Sequence, residues 1–404
     1  MRVLQLHNHH AALGGAMEVL AHEGELLRGA GHDVTEYTLP AAETLGLPAW
    51  RAGAKAVWNL EAQREVSRRI ARFKPDVVHV HTPFPLMSPS VFQAAHRAGV
   101  PAVTTLHSYR YSCVVGTCVR DDRICEDCVG SKLKLAGIRH QCYHDSTGAT
   151  AALTLGLAVH RAVGTFHHAV TRYLTLTDFS RRLLIRDGFP AEKIVVKPNS
   201  VPDPGPELVR VQGRSPSPDE GSTASQDHPE RTVLFVGRLI DLKGVRTLLD
   251  AWQRTPAGMR LVIAGDGDLR PLVEERAAAD PSITFLGWVG EDEVTRLMRD
   301  AEVVVVPSQW YEGLPLVILR SLSVGTPLIV SDLENFAEDV VADGVGLTFR
   351  MGDAADLADR LARVVREESL MNGLREAARA SYDARYSPSA DLKRLVTIYT
   401  EIAR

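Results

Sequence analysis

Two cations and one carboxylate are spaced as a phosphorylated, hydroxylated ligand would need them. The segment Gly237-Arg238-Leu239-Ile240-Asp241-Leu242-Lys243-Gly244 follows the apolar run Leu234-Phe235-Val236 and leads into a helical pattern, so Arg238 and Lys243 fall on the connecting loop. The planar fork of an arginine and the compact charge of a lysine can together grip a diphosphate. Two solvated loop cations are the plainer alternative. A second segment, Pro307-Ser308-Gln309-Trp310-Tyr311-Glu312-Gly313-Leu314-Pro315, passes from an apolar strand into a helix expected to open at Pro315. The free amides of a helix start make an anion site. Glu312, at its rim, can accept hydrogen bonds from neutral hydroxyls or serve simply as a helix cap.

Three further groups invite chemistry. Gly265-Asp266-Gly267-Asp268-Leu269-Arg270 begins like a dinucleotide fingerprint, but Arg270 stands where the third glycine belongs, and a tight strand-to-helix turn is the better reading. Histidines end three predicted strands (His7, His9 and His10; His79 and His81; His107) and are expected to meet on one sheet edge as polar lining, or less simply around a metal. All five cysteines lie between positions 113 and 142. Cys125-Glu126-Asp127-Cys128 has the two-residue gap of a metal knuckle, and Cys113 and Cys142 would complete four ligands for a structural zinc. Plain reduced thiols are the alternative, since Glu126 and Asp127 disfavour redox exchange and a reducing cytoplasm disfavours disulfides.

The elements that must position these groups alternate between short β-rich runs and helical patterns, as in parallel α/β sheets. Strands are expected at 3–7, 33–38, 76–80, 102–106, 173–177 and 194–197, then again at 232–236, 260–264, 283–285, 303–306, 328–330 and 346–349. Residues 202–231, rich in Pro, Gly and Ser, read as a flexible interdomain linker. The expected organisation is therefore α/β, two Rossmann-like doubly wound domains facing a central cleft. Residues 1–200, with a Cys-rich insertion at 108–146, form the acceptor side, and 232–387 form the donor side. A helix at 388–404 packs back on the first domain. Ligands gather where the carboxyl ends of such sheets present loops and helix starts.

Composition sets limits. The chain has 404 residues, enough for two domains. Its net charge of −4 leaves no overall electrostatic footprint for nucleic acid. Through residue 200 there are 23 Lys+Arg and 17 Asp+Glu, a balance of +6, which would suit an anionic acceptor or peripheral contact with a membrane surface. No signal-peptide pattern opens the chain, and the apolar stretch 149–166 is broken by His160 and Arg161, so a cytoplasmic protein is expected.

Taken together, Gly14-Gly15 after the first strand, His107 after a later one, Gly-Arg-x4-Lys-Gly at 237–244 and Glu-Gly-Leu-Pro at 312–315 resemble glycosyltransferase family 4, over nearly the whole chain. The resemblance implies the GT-B fold and a retaining transfer from a nucleotide-diphosphate sugar to an acceptor hydroxyl, with no cofactor required. It implies that Gly14 and Gly15 approach the donor phosphate, that Arg238 and Lys243 neutralise the leaving diphosphate, and that Glu312 holds the sugar. Gly237, Ser308, Gly313, Leu314 and Pro315 would complete the donor site, while Gly265 and Leu286 border the nucleotide base. His107 would orient the sugar ring. One position departs: Arg320 stands where the family has a second Glu that binds the ribose. Arginine cannot accept those hydrogen bonds. That leaves an altered donor, a rewired ribose contact, or a binding protein with impaired turnover.

Overall fold

The computed structural model describes residues 1–9, 15–41, 44–209, 231–255 and 258–403. The chain divides into two compact units. The first comprises Met1–Ser200, Glu312–Leu314 and Pro388–Arg404; the second comprises Val201–Tyr311 and Pro315–Ser387.

The first unit is built on β1 (Arg2–Asn8), β2 (Asp33–Leu39), β3 (Val77–Thr82) and β4 (Ala102–Leu106). A small ribbon follows, β5 (Val119–Arg120) with β6 (Arg123–Ile124), and then β7 (Arg172–Thr175) and β8 (Ile194–Val196) return to the main sheet. That sheet is parallel throughout, in the order β2-β1-β3-β4-β7-β8. The second unit repeats the plan with β9 (Arg231–Val236), β10 (Met259–Ala264), β11 (Ile283–Gly287), β12 (Val303–Val306), β13 (Leu328–Ser331) and β14 (Gly346–Phe349), ordered β11-β10-β9-β12-β13-β14. Strands such as Val303-Val304-Val305-Val306, buried at every residue, need helices on both faces, which is why the sheets are doubly wound. Every expected strand is present to within two residues at each end. The expected linker starts later than its composition suggests. Tyr382 Oη donates to the Val201 carbonyl at 3.0 Å and Arg379 pairs with Asp203 at 2.8 Å, so these residues are tied into the second unit. The remainder of that segment, 210–230, lies outside the described residues.

Strand order explains where the chemistry falls. In the second sheet the winding reverses between β9 and β12, and the loops leaving those two strands are 237–244 and 307–315. At such a reversal neighbouring loops diverge and open a crevice. In the first sheet the reversal lies between β1 and β3, beside His7, His79 and His81. The helix Pro388–Ile402 belongs to the first unit: Leu395, Ile398 and Tyr399 pack with Val3, Leu27, Val77, Val103 and Leu174 in one apolar cluster.

Leu395→Ala deletes a side chain that is 1% exposed in that cluster. We expect a loss of about 2–5 kcal/mol in unfolding free energy by urea titration. A change under about 0.5 kcal/mol, the size of an ordinary surface substitution, would mean that this helix is not docked in solution.

Candidate functional site

In the second unit, glycine is dictated by backbone crowding. A Cβ on Gly265, where φ is +145°, would lie 1.9 Å from the Gly237 carbonyl oxygen, and one on Gly244, at φ +70°, would lie 1.9 Å from that of Pro307. Only glycine lets these loops touch. The turn Asp241–Lys243 is thereby fastened to the 307–309 loop, where the Gln309 amide donates to Leu242 O at 2.8 Å and Gln309 Nε2 donates to Thr247 Oγ1 at 2.9 Å. Arg238 is exposed and Lys243 half-buried. Ser308 is buried, its carbonyl accepting from Ser331 Oγ at 2.5 Å. Gly237, Arg238, Lys243, Gly265 and Ser308 are thus carried by loops leaving β9, β10 and β12.

The helix after this loop is Leu316–Ser323, with Pro315 at its N-cap rather than in the first turn, because its ψ of 127° is extended. Arg320 on that helix pairs with Glu291 at 3.1 Å; Arg320 is mostly covered and Glu291 mostly exposed. Gly265-Asp266-Gly267-Asp268 forms the expected tight turn, with Asp266 accepting from the Gly267 amide at 2.9 Å. Leu286 is exposed at the end of β11.

In the first unit, Gly15 opens the helix Gly15–Gly29 and is exposed, while Gly14 and His10 lie outside the described residues. His107 follows β4 and meets the 312–314 segment: a Cβ on Gly313 would approach the His107 carbonyl oxygen to 3.0 Å, and the buried Tyr109 hydroxyl donates to the Glu312 carbonyl at 2.9 Å. Tyr109 was not legible as a site residue. Glu312 is itself buried, as is Leu314.

The histidines do gather, as a buried network. His81 Nδ1 lies 3.1 Å from His107 Nε2, with the rings stacked. His79 bonds Thr105 Oγ1 at 2.8 Å and the Tyr399 hydroxyl at 2.7 Å. Glu23 stands 3.6 Å from His79 and 3.4 Å from His81. Among the described residues, Glu23, His79 and His81 form the only trio of metal-type ligand atoms within 4.8 Å of one another. Lys197, however, is already bound to Glu23 and, at 2.8 Å, to Asp391. That ammonium supplies the positive charge a metal would bring. His7, His79 and His81 are also almost wholly buried, so the expected polar pocket lining reduces to the partly exposed His9 and His107. Sequence reasoning missed Glu23, Lys197 and Asp391; the signal was a lone lysine ending an apolar strand.

Burial dominates the electrostatics here. It pulls His79 and His81 well below the ordinary histidine value, with Lys197 and the neighbouring rings adding to the effect. Burial, His7 and Lys197 push His107 down to about 3. Burial raises Glu23, against the pull of Lys197 and with the help of Asp391.

Two family models match. The one described as Glycosyltransferase Family 4 spans residues 2–203, and the one described as Glycosyl transferases group 1 spans residues 230–367. A phosphatidyl-myo-inositol mannosyltransferase of Mycobacterium leprae is 25% identical over 404 residues, covering 98% of this chain and 92% of its own. Its namesake in Mycobacterium tuberculosis is 30% identical over 273 residues, 62% of this chain and 70% of its own. An alpha-D-kanosaminyltransferase of Streptomyces kanamyceticus is 32% identical over 42% of this chain and 45% of its own. Among solved structures, a Rickettsia africae glycosyltransferase has a TM-score of 0.71 at 15% identity, covering 100% of this chain and 98% of that one. Anabaena HepE, solved with UDP and glucose, has a TM-score of 0.66 at 16% identity, covering 99% of this chain and 100% of that one. These structural likenesses establish the two-unit GT-B fold. No helix among the described residues is long and apolar enough to cross a membrane.

The network makes stability depend on pH. His79, His81 and His107 have lowered values, so their contribution is present above the ordinary 6.5 and is lost as pH falls below it. Glu23 is raised, so its contribution is present below the ordinary 4.5 and is lost as pH rises. Between these limits three rings oppose one carboxylate, each proton weighing about 1.4 kcal/mol per pH unit. We expect the urea midpoint to fall steadily from about pH 7 to pH 5, and His81→Asn to flatten the slope. A flat profile in the unmodified protein would mean that the rings are not held neutral.

Proposed function

The chain belongs to glycosyltransferase family 4, and on that premise we propose that it moves a sugar from a nucleotide-diphosphate donor to an acceptor hydroxyl, its diphosphate held by Arg238 and Lys243. The observation that carries this reading is the glycine-enforced junction of the 237–244 and 307–309 loops at the winding reversal of the second sheet. It keeps two cations on a backbone framework that no larger residue at 244 or 265 would allow.

In this reading the acceptor oxygen bonds to the anomeric carbon as the bond from that carbon to the phosphate oxygen breaks. The acceptor proton passes to the departing phosphate, and retention of configuration is expected from the family. Arg238 and Lys243 stabilise the charge growing on the leaving group, which is where preorganised cations contribute most. Glu312 accepts from sugar hydroxyls, and Gly313 and Leu314 offer amides to the phosphate. Gly15, with Gly14, lets the backbone approach that phosphate. His107, uncharged at neutral pH, orients the ring rather than acting as an acid. The relatives' names span phosphoinositide mannosylation and kanosaminyl transfer, so a glycolipid, a cell-surface glycan and a natural product are all suitable acceptors. The basic balance of the first 200 residues favours an anionic acceptor or peripheral contact with the inner membrane face from the cytoplasm.

The Arg320–Glu291 pair favours a rewired ribose contact over lost turnover. The guanidinium is mostly covered while the carboxylate remains open, so the acceptor oxygens missing at 320 are offered from the neighbouring helix Glu291–Asp300.

Lys243→Ala should lower kcat/KM at least tenfold, since a charge-assisted hydrogen bond contributes about 1.5–3 kcal/mol. Unchanged kinetics would remove the diphosphate from this loop. Glu291→Ala should raise the donor KM about tenfold with kcat nearly constant, as loss of a contact made equally in ground and transition states would. An unaltered KM for every donor tried would remove Glu291 from the ribose contact, and donor binding without release of nucleoside diphosphate in the unmodified chain favours the binding-protein alternative.

A further inference from the structure

We propose that the insertion after β4 is stapled by one structural zinc ion bound to Cys113, Cys125, Cys128 and Cys142. Buried contacts tie parts of this stretch down, such as Lys134 with Asp187 at 2.5 Å and the core residues Tyr111 and Val114, but it has little regular structure. Its regular structure is the two-residue ribbon of β5 and β6 and the short helix Leu135–Arg139. Of nine described non-glycine residues with positive φ, seven lie between Cys118 and Asp145. Such conformations are costly for residues with a Cβ and persist only where surrounding contacts impose them.

The four cysteines come from three separate stretches, and the Cys113 thiol is hydrogen-bonded to that of Cys118. All four line one cavity of about 310 Å³, open mouth included, whereas Cys118 does not line it. Each stretch is fixed by its backbone. The Cys113 amide donates to Tyr109 O at 2.7 Å, the Cys125 amide to Cys118 O at 2.8 Å and the Cys142 amide to Gly137 O at 3.1 Å. The Cys128 carbonyl accepts from the buried Lys134 Nζ at 2.9 Å. Gly137 leaves the cavity its room: a Cβ there would lie 3.0 Å from Val114 Cγ2 and 3.6 Å from Cys128 Sγ.

Four sulfur donors select zinc among common cellular ions. Arg120 and Asp127 also line the cavity and pair with each other at 2.6 Å. No three of the thiols lie within 4.8 Å of one another among the described residues, whereas sulfurs about 2.3 Å from zinc stand roughly 3.8 Å apart. Binding therefore draws the side chains inward by rotation about fixed backbone anchors and releases the thiol protons to solvent. Ligation and local ordering are coupled. The site is independent of the sugar-transfer reading.

The test is the metal content of the full chain purified without chelator. We expect one zinc per chain by plasma mass spectrometry, lost together with melting temperature on treatment with a strong chelator. Cobalt supplied in its place should give the visible bands of a tetrahedral thiolate complex. Cys128→Ser and Cys142→Ser should abolish stoichiometric zinc, whereas Cys118→Ser should retain it. Because the cobalt spectrum and the chelator melt use the unmodified protein, a variant that fails to fold does not obscure the result. Less than a tenth of an equivalent of zinc, a disulfide in the non-reduced protein, or loss of zinc in Cys118→Ser with retention in Cys142→Ser would overturn the assignment.

Discussion

A lysine ammonium with no access to water organises the first unit. Lys197 is 0% exposed, and an isolated charge in such a place would be prohibitively unfavourable. It is tolerated because Glu23 and Asp391 converge on it, and Ser200 Oγ donates to Asp391 at 2.6 Å. Those partners come from the first helix and the last, so one buried charge fixes two helices against the end of β8. Removing both carboxylates would strand the ammonium, which is where buried ion pairs are least forgiving. Burial keeps the adjoining imidazoles neutral, and the same positive charge adds to that effect.

The second unit is governed by a different constraint, the closeness of backbone to backbone. Gly265 against Gly237 and Gly244 against Pro307 leave no room for a β-carbon. The second of these contacts joins loops that leave neighbouring strands at a winding reversal, the place where an α/β sheet leaves a crevice. Cations held on such a framework need little reorganisation when a charge develops nearby, and electrostatic stabilisation depends on that preorganisation.

Much of this could be read from the chain. Runs such as Val303 to Val306 have no reading but a buried strand, and glycines flanking Arg238 and Lys243 mark a loop under steric pressure. The family motifs supplied the order of the site residues. What escaped is long-range and polar. Glu23 and Asp391 each fall on the buried face of a helix, in line with Leu20 and Leu27 and with Leu395 and Ile398, but their partner is 174 residues from one and 194 from the other. Hydrophobic periodicity carries no information about which charge will be buried with which. The histidines were placed at the correct strand ends but given the wrong surroundings, because sequence shows the edge of a sheet and not the helix that covers it. Arg320 likewise left three readings open in sequence, and its pairing with Glu291 is a long-range contact that no local pattern shows.

The neutrality of the histidines constrains any mechanism more than their identity does. An imidazole pushed down to about 3 is uncharged at neutral pH. It cannot donate a proton to a leaving phosphate as an imidazolium, nor can it neutralise one. Its use is directional: a ring fixed by His81 at 3.1 Å can give or take one hydrogen bond along a set line. On the proposed reading, positive charge for a departing diphosphate comes instead from Arg238 and Lys243 on a loop of the second unit. Separating orientation from charge in this way avoids a conflict: a cationic histidine beside Lys197 would be repelled by the ammonium that holds the first unit together.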